Sequence, residues 1–210
     1  YPKSGNTYIR SFLASYFFSE NGKFNFDQLL KLHQFPSMKF SKNRIESEEE
    51  ASKYWIFNQK TFFDNDELNL VKTHNCLLKF RGNNFTSKDQ TLGAIYIVRD
   101  PRNLITSFTH HYSFSYEDAL KFMMYDKAAL VEKSADNDYS NFTYLNSWSN
   151  HYKSWRDNDQ FKTLFIKFED LEDNKDKIFR EIVKFINELN KNSMEVDEKK
   201  FINSINSTTF

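Results

Sequence analysis

The segment Pro-Lys-Ser-Gly-Asn-Thr-Tyr at residues 2–8 has the composition of an anion-binding loop. It runs directly into an apolar, helix-like segment, and the unpaired backbone N–H groups at a helix start favour phosphate or sulfate. Gly5 allows the backbone to approach an anion closely, Ser4 supplies a hydroxyl donor, and Lys3 adds a positive charge. The loop predicts chemistry on a phosphorylated or sulfated nucleotide. The alternative is an ordinary loop in which the side chain of Ser4 or Asn6 caps the helix.

Lys72-Thr73-His74 is a second candidate for chemistry. Alternation along a strand places Lys72 and His74 on the same face, roughly 6–7 Å apart. Histidine titrates nearest neutrality, so a neutral imidazole in an anion-binding cleft is a credible general base. A purely structural histidine is the alternative.

Val98-Arg99-Asp100-Pro101 is predicted to end a buried strand and start a helix, with Asp100 as the cap and Pro101 at the first helical position. A guanidinium at this edge of a sheet can bind a phosphate through two hydrogen bonds. Ser107, about 9 Å further along the helix axis, can donate a hydroxyl to the same group. The alternative is that Arg99 pairs with a carboxylate at the edge of the core.

Glu169 and Asp170 stand side by side after the last predicted strand. Two adjacent acids suggest acid–base chemistry, but at a strand-to-helix junction they more often cap the helix and bind a basic side chain. We predict the structural role, with Arg10 or Arg99 as the partner.

The remaining histidines and tryptophans predict neither a metal site nor a base-stacking platform. His110 and His111 are adjacent, point in different directions on a helix and have no nearby cysteine or acidic pair that would complete a metal site. For these two residues we predict aromatic-like packing or a place in the lining of the substrate pocket. The position of His151 suggests no function. Trp148 and Trp155 lie seven residues apart, the spacing of a core stripe.

The elements that must position these residues alternate between helix and strand. Apolar spacing near 3.6 predicts helices at residues 6–20, 26–33, 46–61, 101–113, 116–132, 141–157, 174–189 and 196–206. Strands are predicted at residues 68–74, 93–98 and 163–168. This order favours an α/β fold, a P-loop-like parallel β-sheet flanked by helices, whose ligands bind at the carboxyl ends of the strands.

Length and composition predict one domain over residues 1–210 without a membrane span. Twenty-nine basic residues balance 29 acidic ones, so no nucleic acid is expected as partner. The single Cys76 is predicted to be a packed residue and fits a reducing compartment. Because the loop at residues 2–8 would normally follow a buried strand, we expect a domain truncated at its N-terminus and also at its C-terminus.

These motifs, in this order, resemble those of cytosolic-type sulfotransferases. The loop of that family usually reads Pro-Lys-Ser-Gly-Thr-Thr-Trp, from which this chain departs at Asn6 and Tyr8. The family pairs an arginine that ends a strand with a serine eight residues later, as Arg99 and Ser107 do, and its catalytic strand reads Lys-Thr-His. The segment at 207–210, Ser-Thr-Thr-Phe, is similar to the family's His-Thr-Ser-Phe segment.

The resemblance implies transfer of a sulfuryl group from 3′-phosphoadenosine 5′-phosphosulfate (PAPS), released as PAP, to a hydroxyl or amine acceptor without a metal. His74 would be the base, Lys3 would stabilise the leaving phosphate, and Lys72 would assist near the sulfuryl group. The residues implied at the nucleotide are Lys3, Ser4, Gly5, Asn6, Thr7, Tyr8, Arg99, Ser107, Thr208, Thr209 and Phe210.

Two departures bear on the resemblance: Phe168 stands where the family commonly has tyrosine, and the chain ends before the family's Arg-Lys-Gly loop. We therefore expect this chain to be less stable, and to bind the nucleotide more weakly, than a version extended at both ends. The acceptor would be a small molecule, lipid or sugar, and the location cytoplasmic. A P-loop nucleotide kinase, whose G-x-x-x-x-G-K-S/T pattern is absent, and a non-catalytic nucleotide-binding module are the alternative functions.

Overall fold

A computed structural model describes residues 1–63, 67–131, 138–191 and 195–208. The helices are α1 (Asn6–Phe18), α2 (Glu48–Phe63), α3 (Pro101–Tyr112), α4 (Tyr116–Met124), α5 (Trp148–Arg156), α6 (Phe168–Leu189) and α7 (Glu198–Ser207). The strands are β1 (His33–Gln34), β2 (Val71–Lys72), β3 (Gly93–Val98), β4 (Ala129–Leu130), β5 (Thr143–Tyr144) and β6 (Lys162–Lys167).

Parallel pairing dominates the described strands, as the alternation of helices and strands predicts. β3 pairs with β6 along six residues, from Gly93 opposite Lys162 to Val98 opposite Lys167. β1 and β2 form a second parallel pair, and β4 and β5 are antiparallel. The fold is therefore α/β with parallel strands flanked by helices.

Aromatic packing fixes α1 against the helices at the end of the chain. The rings of Phe12 and Phe179 stack with their centroids 3.9 Å apart, and Phe12 also meets Phe201 edge-on. All three side chains are fully buried, and such rings contribute strongly to core stability. The loop before α1 is thus carried by a helix buried against α6 and α7.

Four predicted helices correspond closely to α1, α2, α3 and α7. The start of α3 is also as predicted, because Asp100 accepts a hydrogen bond from the Arg102 N–H and Pro101 occupies the first turn. Cys76 is fully buried and forms no disulfide, so its predicted packing role is confirmed. Burial raises the pKa of its thiol to about 12.

Other predicted boundaries are wrong where local hydrogen bonds end an element early. Residues 26–31 form a 3₁₀ helix because a capping box at Asn25 starts it and the Leu32 N–H bonds back to Leu29. Pairing in the strand predicted at 68–74 covers only Val71 and Lys72. The predicted strand at 163–168 ends at Lys167, where α6 begins.

The ends of three helices also differ from those predicted. α4 ends at Met124, and the predicted helix at 116–132 continues as a turn and β4, with residue 132 outside the described residues. In the predicted helix 141–157, Thr143 and Tyr144 form β5. Asn146 has a φ of 60°, which interrupts any helix before α5. α6 starts at Phe168, before the predicted residue 174, and contains a break at Asn174.

Candidate active site

The loop at residues 2–8 contains two residues in a left-handed conformation just before α1 begins. Lys3 and Gly5 have φ values of 65° and 100°, and left-handed residues in a turn are typical of backbone sites that bind anions. No side chain of the described residues caps α1, so the alternative of an ordinary loop capped by Ser4 or Asn6 is wrong. The first-turn N–H groups of α1 are left for an anion.

Ser4 adds a buried donor to this turn. The residue is 2% exposed, and its Oγ hydrogen-bonds to no described residue. A buried hydroxyl without a partner costs about 1–3 kcal/mol. A bound anion would remove that cost by accepting its hydrogen bond.

Arg99 directly follows β3, and its side chain contacts the loop at residues 2–8. Its Nη1 donates to the carbonyl oxygen of Lys3 at 3.0 Å, and its guanidinium lies 4.4 Å from the centre of the Phe168 ring. The alternative pairing of Arg99 with a carboxylate is therefore wrong. Its buried Nε hydrogen-bonds to no described residue. Arg99 thus brings a second buried donor without a partner to the loop.

Glu169 has the structural role predicted for it, but with another partner. Its carboxylate accepts a hydrogen bond from the Asp100 N–H at 3.0 Å, which ties the end of β3 to the start of α6. The prediction that this acidic pair binds Arg10 or Arg99 is wrong. Arg10 donates instead to the carbonyl oxygens of Leu29 and Leu32.

Lys72 and His74 lie at the end of β2. Lys72 donates to the side-chain oxygen of Gln34 at 2.9 Å. The half-buried His74 has a buried Nδ1 that bonds to no described residue. Burial, followed by the positive charge of Lys72, lowers the pKa of His74 to about 2, and Arg10 and Lys3 act in the same direction. The imidazole is therefore neutral at pH 7 and surrounded by cations.

A cavity of about 530 Å³ connects the loop to β2 and β3. Ser4, Asn6 and Arg10 line it on the side of α1, and Lys72 lines it from β2. Residues 93–97 of β3 form another part of its wall. Of the predicted site residues, the structure thus brings Ser4, Asn6 and Lys72 to one cavity, whereas Arg99 and His74 lie outside its wall.

The other predicted site residues occupy varied environments. Thr7 is exposed in the first turn of α1, and Ser107 is half-buried on α3. Tyr8 packs edge-on against Phe179 at 5.4 Å, and this burial raises its pKa. Thr208 is buried and donates to the Ser204 carbonyl at the end of α7. Thr209 and Phe210 lie outside the described residues.

Sequence reasoning missed two side chains that support the site. Phe168, noted only as a departure from the resemblance, places its ring beside Gly5 and Arg99. His151 hydrogen-bonds to the backbone of His74. Neither contact has a sequence signal, because the partner in each case is backbone or a residue far along the chain.

Neither a metal cluster nor a membrane span is found in the part of the chain that the structure describes. No three His, Cys, Asp or Glu side chains there form a group able to hold a metal ion. No helix among residues 1–63, 67–131, 138–191 and 195–208 is both long and apolar enough to cross a membrane.

Comparison with known proteins identifies one family. Residues 1–205 match the family model described as "Sulfotransferase domain". The chain is similar in fold to the crystal structure of mouse sulfotransferase SULT7A1 complexed with PAP, with a TM-score of 0.52 and 18% identity. That match covers 100% of this chain and 61% of the mouse chain. A search of curated protein sequences found no match.

Proposed function

The chain belongs to the sulfotransferase domain family, and we propose that the protein transfers a sulfuryl group from PAPS to a hydroxyl or amine acceptor. When bound, PAPS supplies the activated sulfuryl group, and PAP is released. The family match favours this function over the nucleotide kinase and the non-catalytic binding module.

One observation carries the proposal. Among the described residues, neither the Ser4 hydroxyl nor the Arg99 Nε has a hydrogen-bond partner, and both donors are buried. Ser4 lies just before α1, and the side chain of Arg99 reaches the same loop from the end of β3. Interiors rarely leave donors unpaired, and those that remain at a cleft indicate a ligand that accepts hydrogen bonds. Phosphate and sulfate oxygens are such acceptors, so the residues present fit the phosphorylated ends of the nucleotide.

The residues of the loop have distinct tasks. The backbone N–H groups of Asn6 and Thr7 and the Ser4 hydroxyl would bind the 5′ end of the nucleotide. Lys3, with its mobile ammonium group, would stabilise the charge that develops on the leaving phosphate. Arg99 and Ser107 would bind the 3′-phosphate. Tyr8, Thr208, Thr209 and Phe210 stay predictions for the adenine side.

His74 would take the proton of the acceptor. Because its pKa is lowered, first by burial and then by Lys72, the imidazole is neutral and able to accept a proton at pH 7. The same low pKa makes it a weak base in the free protein. Negative charge bound beside Lys3 and Lys72 would raise that pKa toward the range in which general bases work.

The acceptor class proposed is a small molecule, lipid or sugar that carries a hydroxyl or amine. We also propose a cytoplasmic location, which rests on the resemblance to cytosolic-type enzymes and on the single, buried Cys76.

The deciding experiment measures transfer from labelled PAPS to a panel of phenols, sterols, sugars and amines, together with PAP binding by calorimetry. We expect transfer to one acceptor class and its loss in His74→Ala with PAP binding unchanged. His110→Ala, which removes an exposed imidazole on α3 that does not line the cavity, is the control and should retain transfer. Equal turnover in His74→Ala would remove His74 from the mechanism, and absence of both transfer and PAP binding in the wild type would overturn the proposed function.

A further inference from the structure

Helix α5 holds the backbone that follows β2 by three side chains. They lie at positions i, i+3 and i+4 of the helix, which share one face. The bonds join His151 Nε2 to the His74 carbonyl at 3.0 Å, the Leu77 N–H to Ser154 Oγ at 3.0 Å, and Trp155 Nε1 to the Asn75 carbonyl at 3.1 Å. Tyr144 of β5 also accepts a hydrogen bond from the Cys76 N–H, so residues 74–77 are positioned by α5 and β5 and not by strand pairing with β1.

The protonation of His151 follows from its two partners. The His74 carbonyl can only accept, so Nε2 must carry the proton and donate it. Nδ1 is then an acceptor, and the Tyr96 hydroxyl, 2.9 Å away, donates to it. Burial keeps the pKa of His151 well below its ordinary value, so the ring is neutral and has one N–H, as this arrangement requires.

The imidazole of His151 is held rigidly. The residue is 1% exposed, and the ring of Tyr1 meets it edge-on with centroids 5.2 Å apart. Together with the hydrogen bond to Tyr96, this packing leaves the ring a single orientation. The His74 carbonyl thus meets a fixed donor.

We propose that His151 is a positioning residue for His74, an inference that rests on the proposed function of His74 as the base. The carbonyl that His151 binds belongs to the same residue as the reacting imidazole, so a shift of that carbonyl moves the imidazole. Misplacement of a reacting group by about 1 Å can cost about 100-fold in rate. His151 therefore contributes to turnover without touching the acceptor or the nucleotide.

The test compares His151→Leu, which removes the donor, with His151→Gln, whose amide N–H can replace Nε2–H. We expect His151→Leu to lower kcat by about 10- to 100-fold, with KM for PAPS and Kd for PAP within about twofold, and His151→Gln to restore most of kcat. Met123→Ala creates a cavity in the hydrophobic cluster that contains Tyr1 and serves as the control for loss of stability. This variant should retain the wild-type kcat at temperatures below its Tm. Wild-type kcat in His151→Leu, or an equal loss in both His151 variants, would overturn the inference.

Nitrogen-15 NMR of the histidine side chains separates this inference from the proposed function. The His151 signals should show the Nε2–H tautomer, and His151→Leu should shift the imidazole signals of His74 while His151→Gln returns them. This result supports the positioning role even if no transfer is detected, and unchanged His74 signals overturn it. Should His151→Leu not fold, Tyr96→Phe decides: a several-fold loss of kcat with unchanged PAP binding supports the inference, and wild-type kcat overturns it.

Discussion

The ring of Phe168 occupies the space that a side chain at Gly5 would need. A Cβ atom added at Gly5 would lie 2.2 Å from Cδ2 and 2.4 Å from Cε2 of that ring. The same ring also contacts the guanidinium of Arg99, which lies 4.4 Å from the ring centre. Gly5, Phe168 and Arg99 thus form one packed unit at the start of α1.

Gly5→Ala is expected to be more damaging than a typical glycine substitution in a turn. The φ of 100° alone strains any other residue by about 1 kcal/mol, and the clash with Phe168 adds about 1–3 kcal/mol. We expect the free energy of unfolding to fall by about 2–4 kcal/mol in urea titrations, with loss of PAP binding.

Gly82→Ala is the matched control for that experiment. Gly82 has a similar φ of 83°, but no atom lies within 4 Å of the added Cβ. Its cost should be the backbone strain alone, about 1 kcal/mol, with PAP binding unchanged. Equal destabilisation by the two substitutions would show that the Phe168 ring does not matter at Gly5.

Arg99→Gln is expected to weaken PAP binding by about 10- to 100-fold, the loss of a charge-assisted hydrogen bond of about 1.5–3 kcal/mol. Arg102→Gln is the control, because Arg102 is 87% exposed in its side chain and bonds to Asp100. We expect it to bind PAP within about twofold of the wild type. Calorimetric titration measures both, and similar losses would contradict a specific role of Arg99.

The pKa of His74 is expected to rise when PAP binds. In the free protein it is lowered to about 2, mainly by burial and by the charge of Lys72, and phosphates among the same cations offset the second cause. In NMR titrations the free protein should keep a neutral His74 to the lowest pH at which it stays folded. With saturating PAP, protonation should begin at a higher pH. The Arg99→Gln variant at the same PAP concentration should behave more like the free protein, and an unchanged titration with PAP would place the nucleotide away from His74.

Stability is expected to fall as the pH drops below about 6.5. His74 and His151 are neutral in the fold because burial lowers the pKa of each, whereas the unfolded chain takes up protons at its ordinary histidine pKa. Each group contributes a slope of up to about 1.4 kcal/mol per pH unit below that value. In urea unfolding between pH 7.5 and 5.5, the free energy of unfolding should change less steeply with pH in His151→Gln than in the wild type. Equal slopes in the two proteins would show that His151 does not take up a proton on unfolding.

Much of the site could be predicted because its signals are local in the chain. Asp100 and Pro101 specify the start of α3 through their own backbone chemistry, and the apolar residues at 93–98 form β3. The boundaries that failed, such as residues 26–33, depend on hydrogen bonds of single residues that apolar spacing does not encode.

Distant contacts could not be predicted in the same way. His151 meets His74 across 77 residues, and Arg99 meets Lys3 across 96. In both contacts the acceptor is a backbone carbonyl, a group that every residue carries, so no letter of the sequence indicates it. The predicted acidic partners of Arg99 failed for this reason.

The sequence alone determined the chemical types available: an anion-binding loop, a Lys-Thr-His segment and an arginine at a strand end, because side-chain chemistry and short-range backbone preferences belong to neighbouring residues. Only the tertiary structure decided that Phe168 closes on Gly5, that Arg99 docks on the loop, and that α5 holds the carbonyl of His74. Those contacts result from burial of helices against strands, which brings together backbone and side chains that are far apart along the chain.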